Sequence, residues 1–384
     1  MRYGHIGSDP KTLNPLIATD ATSADFGGKL YPGLVENDPD TNEVVPRLAE
    51  SFELKDSGKK IIIRLRDDIF WSDGVPITAD DVVYTWNVLI RGEVAVSSTK
   101  DVLSVEGVFP EVKKLSDKEV QFRTIKVFAP FLESLATEIM PKHHIEEFFK
   151  KRNAKTFEEK QKAFLSYMDI YTDPSEMVSS GPFLFSELIS GERMILKKNP
   201  YFYAKDEQGR SLPYADKQIY TYSKDPGSAI FRFLADETYM LNVSPSRAAL
   251  MKSLEDKYAY KLYEMGSSTG TSFFWFNLSR NVKEPKYSWF NNKEFRRAVA
   301  YALDRETIIK NVYQGLAVPL YTAEPRISPF FNEKIYEYPR DLKKAKEILK
   351  SEGFKIEDGR LYDKNSNPVE FDIYTNSGIK EKEQ

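Results

Sequence analysis

The chain has 384 residues, more than one hydrophobic core usually organises, so two or three domains are expected. Hydrophobic residues make up 41% and charged residues 29%, the balance of an ordinary globular protein. With 55 Lys and Arg against 58 Asp and Glu there is no general drive toward nucleic acid or anionic membranes, and zero cysteine excludes disulfides, thiolate catalysis and zinc–thiolate sites.

Turn chemistry dominates the first 60 residues: Asp9-Pro10, Asn14-Pro15, Gly27-Gly28, Pro32-Gly33 and Asp38-Pro39 all break regular structure. Residues 60–66 (KIIIRLR) read as a strand, and Trp71-Ser72-Asp73-Gly74 as a turn. A helix follows, with Thr78 as its N-cap and Asp80 and Asp81 in its first turn, where the helix dipole favours acids. Val82, Val83, Trp86 and Leu89 form its apolar stripe. The Lys/Glu-rich stretch 146–163 reads as a solvated helix face. Arg193 to Leu196 reads as a strand closed by Asn199-Pro200. The run 272–278 (SFFWFNL) has no alternation and predicts a strand buried on both faces. Three helices come later. Asn292 caps the first, over Phe295–Leu303. Asp304 caps a second that ends at Gly315. Asp341 starts a third, with Leu342, Ala345, Ile348 and Leu349 on one face and Gly353 as its stop. The fold class is α/β.

Few residues carry chemistry. Of the three histidines, His5, His143 and His144, the adjacent pair is badly placed to share a metal, and no metal or cofactor is expected. The stretch Asp38 to Glu43 imitates the start of a calcium loop but lacks the glycine and the distant bidentate Glu, so a hairpin turn is expected there. Asp363, Asn365 and Asn367 read the same way. No nucleophile elbow, GxGxxG or P-loop sequence occurs. Carboxylates are common enough to leave a catalytic pair open. The Tyr- and Phe-rich segments lack an accompanying basic patch and read as core packing. No stretch approaches the roughly 18–20 apolar residues of a membrane helix.

Six segments, in order, carry a resemblance. They are Ser8-Asp9-Pro10-Lys11-Thr12-Leu13-Asn14-Pro15; Gly33-Leu34-Val35-Glu36 with Val45 to Phe52; Leu65 to Val83, with its Trp71-Ser72-Asp73-Gly74 turn and Thr78-Ala79-Asp80-Asp81 cap; Ser180-Gly181-Pro182-Phe183 with Gly191-Glu192 and Lys198-Asn199-Pro200-Tyr201; Phe276-Asn277 with Phe295 to Arg305; and Ala345 to Phe354 with Asp358-Gly359. Together they resemble the extracellular solute-binding proteins of ABC importers, family 5, the oligopeptide, dipeptide and nickel-binding class. Residues 234–238 depart from the family's small glycine turn, and the chain stops at Gln384 where the family continues.

The resemblance implies a two-lobed periplasmic-binding-protein-like fold (type II, cluster C) with an extra subdomain, its second lobe truncated. Lobe I would take residues 1–43 and 169–268, the subdomain 44–168, and lobe II 269–384, starting near Thr269. It implies a protein that is not an enzyme and that traps a solute by hinge closure. Thr19, Asp20 and Ala21 would offer main chain to an extended ligand. Thr271, Phe273 and Phe274 would line the cleft mouth. The expected ligand is a peptide or oligosaccharide, and the expected partner a cognate membrane permease. The chain would act as a monomer in the periplasm or outside the cell, its leader removed before Met1. The rival reading is a cytoplasmic hydrolase with paired carboxylates.

Overall fold

The computed structural model describes residues 1–266, 270–328 and 330–375. The chain forms two units, Met1–Asn242 and Val243–Gln384. The expected lobe boundary near Thr269 lies outside the described residues.

The first unit begins with β1 (Arg2–Ile6) and α1 (Ala21–Leu30). A hairpin follows, β2 (Val35–Asn37) and β3 (Val44–Pro46), then β4 (Ala49–Lys55), β5 (Lys60–Leu65), α2 (Ala79–Val83), α3 (Thr99–Leu103), β6 (Glu111–Ser116) and β7 (Glu119–Arg123). Next come α4 (Phe131–Ser134), α5 (Lys142–Lys151) and α6 (Phe157–Phe164). The unit closes with β8 (Phe183–Ile189), β9 (Arg193–Lys198), β10 (Lys217–Ser223), α7 (Pro226–Leu234) and β11 (Met240–Leu241). Two sheets organise it. One has five strands in the order β11-β1-β10-β9-β8, the other four in the order β4-β5-β7-β6. The first is built from both sides of the long insertion that holds the second. β1 lies parallel to β10 and β11, with Arg2 opposite Ile219 and Ile6 opposite Ser223.

Side-chain periodicity explains the four-stranded sheet. Ile61, Ile63 and Leu65 of β5 and Val120 and Phe122 of β7 alternate inward. The expected helix cap is present: Thr78 accepts from Asp80 N, and the Asp81 carboxylate returns a bond to Thr78 N at 2.9 Å. The Asp81 carboxylate also accepts from Lys142 N at 2.9 Å, so one buried carboxylate ties the start of α2 to the start of α5. Burial pushes its pKa up, and these donors pull against the rise. α2 runs on into a π-helical stretch, Tyr84–Ile90, a widening that no sequence signal announced. Val82, Trp86 and Leu89 are fully buried there, with the Trp86 ring edge-on to Phe122 at 4.9 Å. Replacing Trp86 by Ala removes the centre of this aromatic cluster. The expected loss is about 3 kcal/mol of unfolding free energy, measurable by urea titration.

The Asp38 turn is the expected hairpin. Its carboxylate accepts from Asp40 N and Thr41 N between β2 and β3. The Lys/Glu-rich stretch is two helices, α5 and α6, because Asn153 takes positive φ and Thr156 opens a second capping box with Glu159.

The second unit holds α8 (Pro245–Tyr258), α9 (Lys286–Asn291), α10 (Lys293–Ala302), α11 (Arg305–Asn311), α12 (Leu342–Ser351) and the hairpin β12 (Lys355–Glu357) with β13 (Arg360–Tyr362). Asn292, Asp304 and Asp341 cap α10, α11 and α12 as expected. α11 ends at Asn311 rather than Gly315. The glycine, at φ +80°, serves the loop beyond, with its N–H on Ile309 O at 2.9 Å. Leu342 is exposed in the first turn of α12, while Ala345 is buried against α10. A core of Trp289, Phe290, Phe295 and Phe354 gathers Phe276 and Phe371 around it.

The run 272–278 corrects the reading above: it forms no strand, and Phe273, Phe274, Trp275 and Leu278 are exposed. A strand requires a neighbour to take its backbone donors and acceptors, and among the described residues none pairs with it.

Candidate functional site

β1 and α1 build the candidate site in the first unit. The carboxyl ends of β1, β10 and β11 point the same way, and open α/β sheets take ligands outside such ends. From β1 the chain turns through Leu13-Asn14-Pro15 into α1. The Asn14 side chain accepts from Leu16 N at 3.1 Å, and Leu13 N donates to Met168 O at 3.0 Å. Gly27 sits within α1 because a Cβ there would stand 3.0 Å from the Pro15 ring. Helix and turn therefore pack backbone to ring.

Asp20 is the N-cap of α1. One carboxylate oxygen accepts from Ser23 N at 2.9 Å, the other from the Ser23 hydroxyl at 2.7 Å. Ser23 Oγ, fully buried, accepts in turn from Lys11 N at 2.8 Å and Thr12 N at 3.3 Å. The side chain of Asp20 is thus spent on holding the turn against the helix. Its main chain is not: among the described residues Thr19 N–H, Thr19 C=O and Asp20 N–H make no hydrogen bond, while Asp20 C=O bonds Ala24 N. Thr19 and Ala21 are exposed, and Ala21 begins the helix. Truncating Asp20 to Ala should cost about 1 kcal/mol of stability in urea denaturation, the ordinary loss of a helix cap.

Thr271, Phe273 and Phe274 belong to the second unit. Thr271 is half-buried. Phe273 stands 69% exposed and lies 5.5 Å from the Trp275 ring. Phe274 is 5.7 Å from Phe276, which packs at 5.3 Å on Phe290. Phe276 thus reaches the core, while Phe273, Phe274 and Trp275 stay exposed.

The histidine pair has separate partners. His143 Nε2 meets Asp73 at 2.8 Å, and His144 Nδ1 meets the Tyr167 hydroxyl at 2.8 Å. Among the described residues no group of three or more His, Asp or Glu is placed to hold a metal. Asp363 is a turn hub. Its carboxylate accepts from the Trp289 indole N–H at 3.0 Å, from Asn365 N and Asn367 N, and from the Asn367 side chain. Sequence reasoning missed α1 itself, and with it Gly7 and Thr22, which stand beside each other at the carboxyl end of β1.

This mixed α/β architecture is that of the periplasmic binding proteins. The chain aligns over 96% of its length with the oligopeptide-binding protein AppA of Bacillus subtilis, solved with a nonapeptide, at a TM-score of 0.72 and 26% identity, covering 67% of that chain. A mannohexaose-bound periplasmic oligopeptide-binding protein from Thermotoga maritima shares the fold at a TM-score of 0.75 and 24% identity, over 99% of this chain and 67% of that one. Residues 43–383 match the family model for bacterial extracellular solute-binding proteins, family 5, and the chain belongs to that family. It is 30% identical over 96% of its length to a probable ABC transporter-binding protein of Deinococcus radiodurans, and 27% identical over 94% to the dipeptide-binding protein of Escherichia coli. It spans 62% and 64% of those two relatives. The family is one of extracellular solute-binding proteins, not of enzymes. Among the described residues no helix is long and apolar enough to cross a membrane.

Proposed function

We propose that this protein is the solute-capturing component of an ABC-type importer and has no catalytic role of its own. It works in the periplasm or outside the cell, as a monomer, and delivers its ligand to a cognate membrane permease. The ligand is peptide-like or an oligosaccharide, held by closure of two lobes about a hinge. Lobe I takes residues 1–43 and 169–268, with 44–168 as its added subdomain, and lobe II begins near residue 269. The observation that carries this reading is the unsatisfied main chain of Thr19 and Asp20 at the carboxyl edge of a parallel strand set. Free backbone donors and acceptors in an extended segment are a template for pairing with an extended ligand, indifferent to its side chains. Thr271, Phe273 and Phe274 are the second unit's ligand-contacting residues in this reading. Family membership supports the transport role, and the hydrolase reading has no such support.

Ligand binding raises stability by RT ln(1 + [L]/Kd), about 2.7 kcal/mol at a hundredfold excess over Kd. In the full-length protein a panel of di- to nonapeptides and manno- and gluco-oligosaccharides should therefore give a clear rise in thermal midpoint for one chemical class. The absence of a shift with every member of both classes would defeat the reading.

A further inference from the structure

The three histidines differ in what surrounds them. His143 and His144 each have a side-chain partner. Among the described residues His5 has none on either ring nitrogen, although the ring is firmly held. It lies edge-on to Tyr222 at 5.3 Å and tilted against Phe26 at 5.9 Å. His5 is the penultimate residue of β1, so it stands at the carboxyl edge where the ligand segment begins. Behind it the Tyr222 hydroxyl is buried and has no hydrogen-bond partner either.

Gly7 determines what His5 faces. A Cβ added at Gly7, whose φ is +147°, would sit 3.4 Å from His5 Nε2 and 4.0 Å from the Thr22 hydroxyl. Any side chain at position 7 would cover both atoms, and glycine leaves them open. Thr22, in the first turn of α1, has no side-chain hydrogen bond among the described residues. A clamped imidazole and the Thr22 hydroxyl therefore adjoin at the carboxyl end of β1, and the free main chain of Thr19 and Asp20 lies just before Thr22 in the chain.

Resting on the transport reading above, we propose that His5 Nε2, with Thr22 Oγ1, is a ligand-reading subsite that takes an uncharged hydrogen-bonding group, a backbone amide or a sugar hydroxyl. Electrostatics favour the neutral class. The charged groups facing His5 are Asp25 and Lys29 of α1, which pair with each other. Burial lowers the imidazole pKa from its ordinary value, against the pull of Asp25. Near neutral pH the ring is uncharged, with one nitrogen a donor and the other an acceptor. A carboxylate would find no fixed positive charge here to stabilise it, because Lys29 is already engaged by Asp25 and by the Phe26 and Tyr220 rings.

The test uses the whole chain and its three imidazoles, whose nitrogens long-range proton–nitrogen NMR resolves individually. Tetraalanine and mannotetraose are titrated separately into the millimolar range. The expected result is movement of the His5 resonances, with His143 and His144 unmoved, for one of the two probes. That probe identifies the group as amide or hydroxyl. His5→Phe keeps the ring packing and should weaken the same probe about tenfold, the value of one hydrogen bond of roughly 1.4 kcal/mol. Thr22→Val should weaken it by a few-fold and serves if His5→Phe does not fold. If the probe binds while the His5 signals stay still and both variants bind like the parent, the subsite is overturned and the transport reading stands. If neither probe perturbs the parent chain at all, the subsite is overturned, and the transport reading is decided by the thermal panel above.

Discussion

Gly181→Ala should destabilise the first unit by about 3 kcal/mol or more, the upper range for forced overpacking. A Cβ at that position would lie 2.1 Å from Lys29 O and 2.9 Å from Leu30 O, both backbone atoms at the end of α1. The chain cannot retreat without losing the bonds from Ser180 N and Gly181 N to Leu30 O, at 3.2 and 2.8 Å. The measurement is the urea midpoint, compared with Gly28→Ala. Gly28 also lies in α1, but a methyl there would meet only the Glu138 carboxylate, at 3.6 Å. That substitution should raise stability by about 0.5–1 kcal/mol through helix propensity alone. Equal effects at the two positions would show that α1 does not dock through its carboxyl end as described.

Asp363→Ala should cost the second unit about 3 kcal/mol. It strands the buried Trp289 indole N–H and the two main-chain donors of the turn, each a group that is expensive to leave unpaired. The parent carboxylate also leaves a mark on pH dependence. Burial pushes its pKa up, but the donors outweigh this and hold it below the ordinary value. Its stabilisation is complete above the usual carboxylate range near 3.9 and is lost as pH falls through the depressed value. The acid limb of the parent should therefore be steeper below about pH 4 than that of the Ala variant. Superimposable acid limbs would remove Asp363 from this role.

Much of the local structure was legible because it is written in local chemistry. Thr78, Asn292, Asp304 and Asp341 each cap the helix they announce, and Asp38 folds its own hairpin turn. What escaped depends on distant contacts. Gly27-Gly28 reads as a breaker, yet both lie inside α1, where Pro15 requires a residue without a side chain at position 27. The run SFFWFNL has the composition of a buried strand, but composition does not provide a partner strand. Residues 234–238 lack the family's glycine, and Asp236 takes the left-handed position after α7 in its place, at φ +59°. Among the candidate site residues, Thr19 to Ala21 are named by resemblance alone. Asp20 as a cap and His5 as an uncovered ring needed the fold, since a lone histidine in a strand carries no pattern to read.

The five-stranded sheet also sets an order of events as the chain emerges from the ribosome. All four strands of the smaller sheet lie within residues 49–123 and can pair as soon as that stretch is available. β1 precedes both its partners and stays without either neighbour until residues 217–241 appear. For that interval the backbone donors and acceptors along both its edges are free to join another chain, the exposure that makes long-range pairing prone to aggregation. The inserted sheet can then pair before the sheet that flanks it, and β1 is covered later than strands made after it.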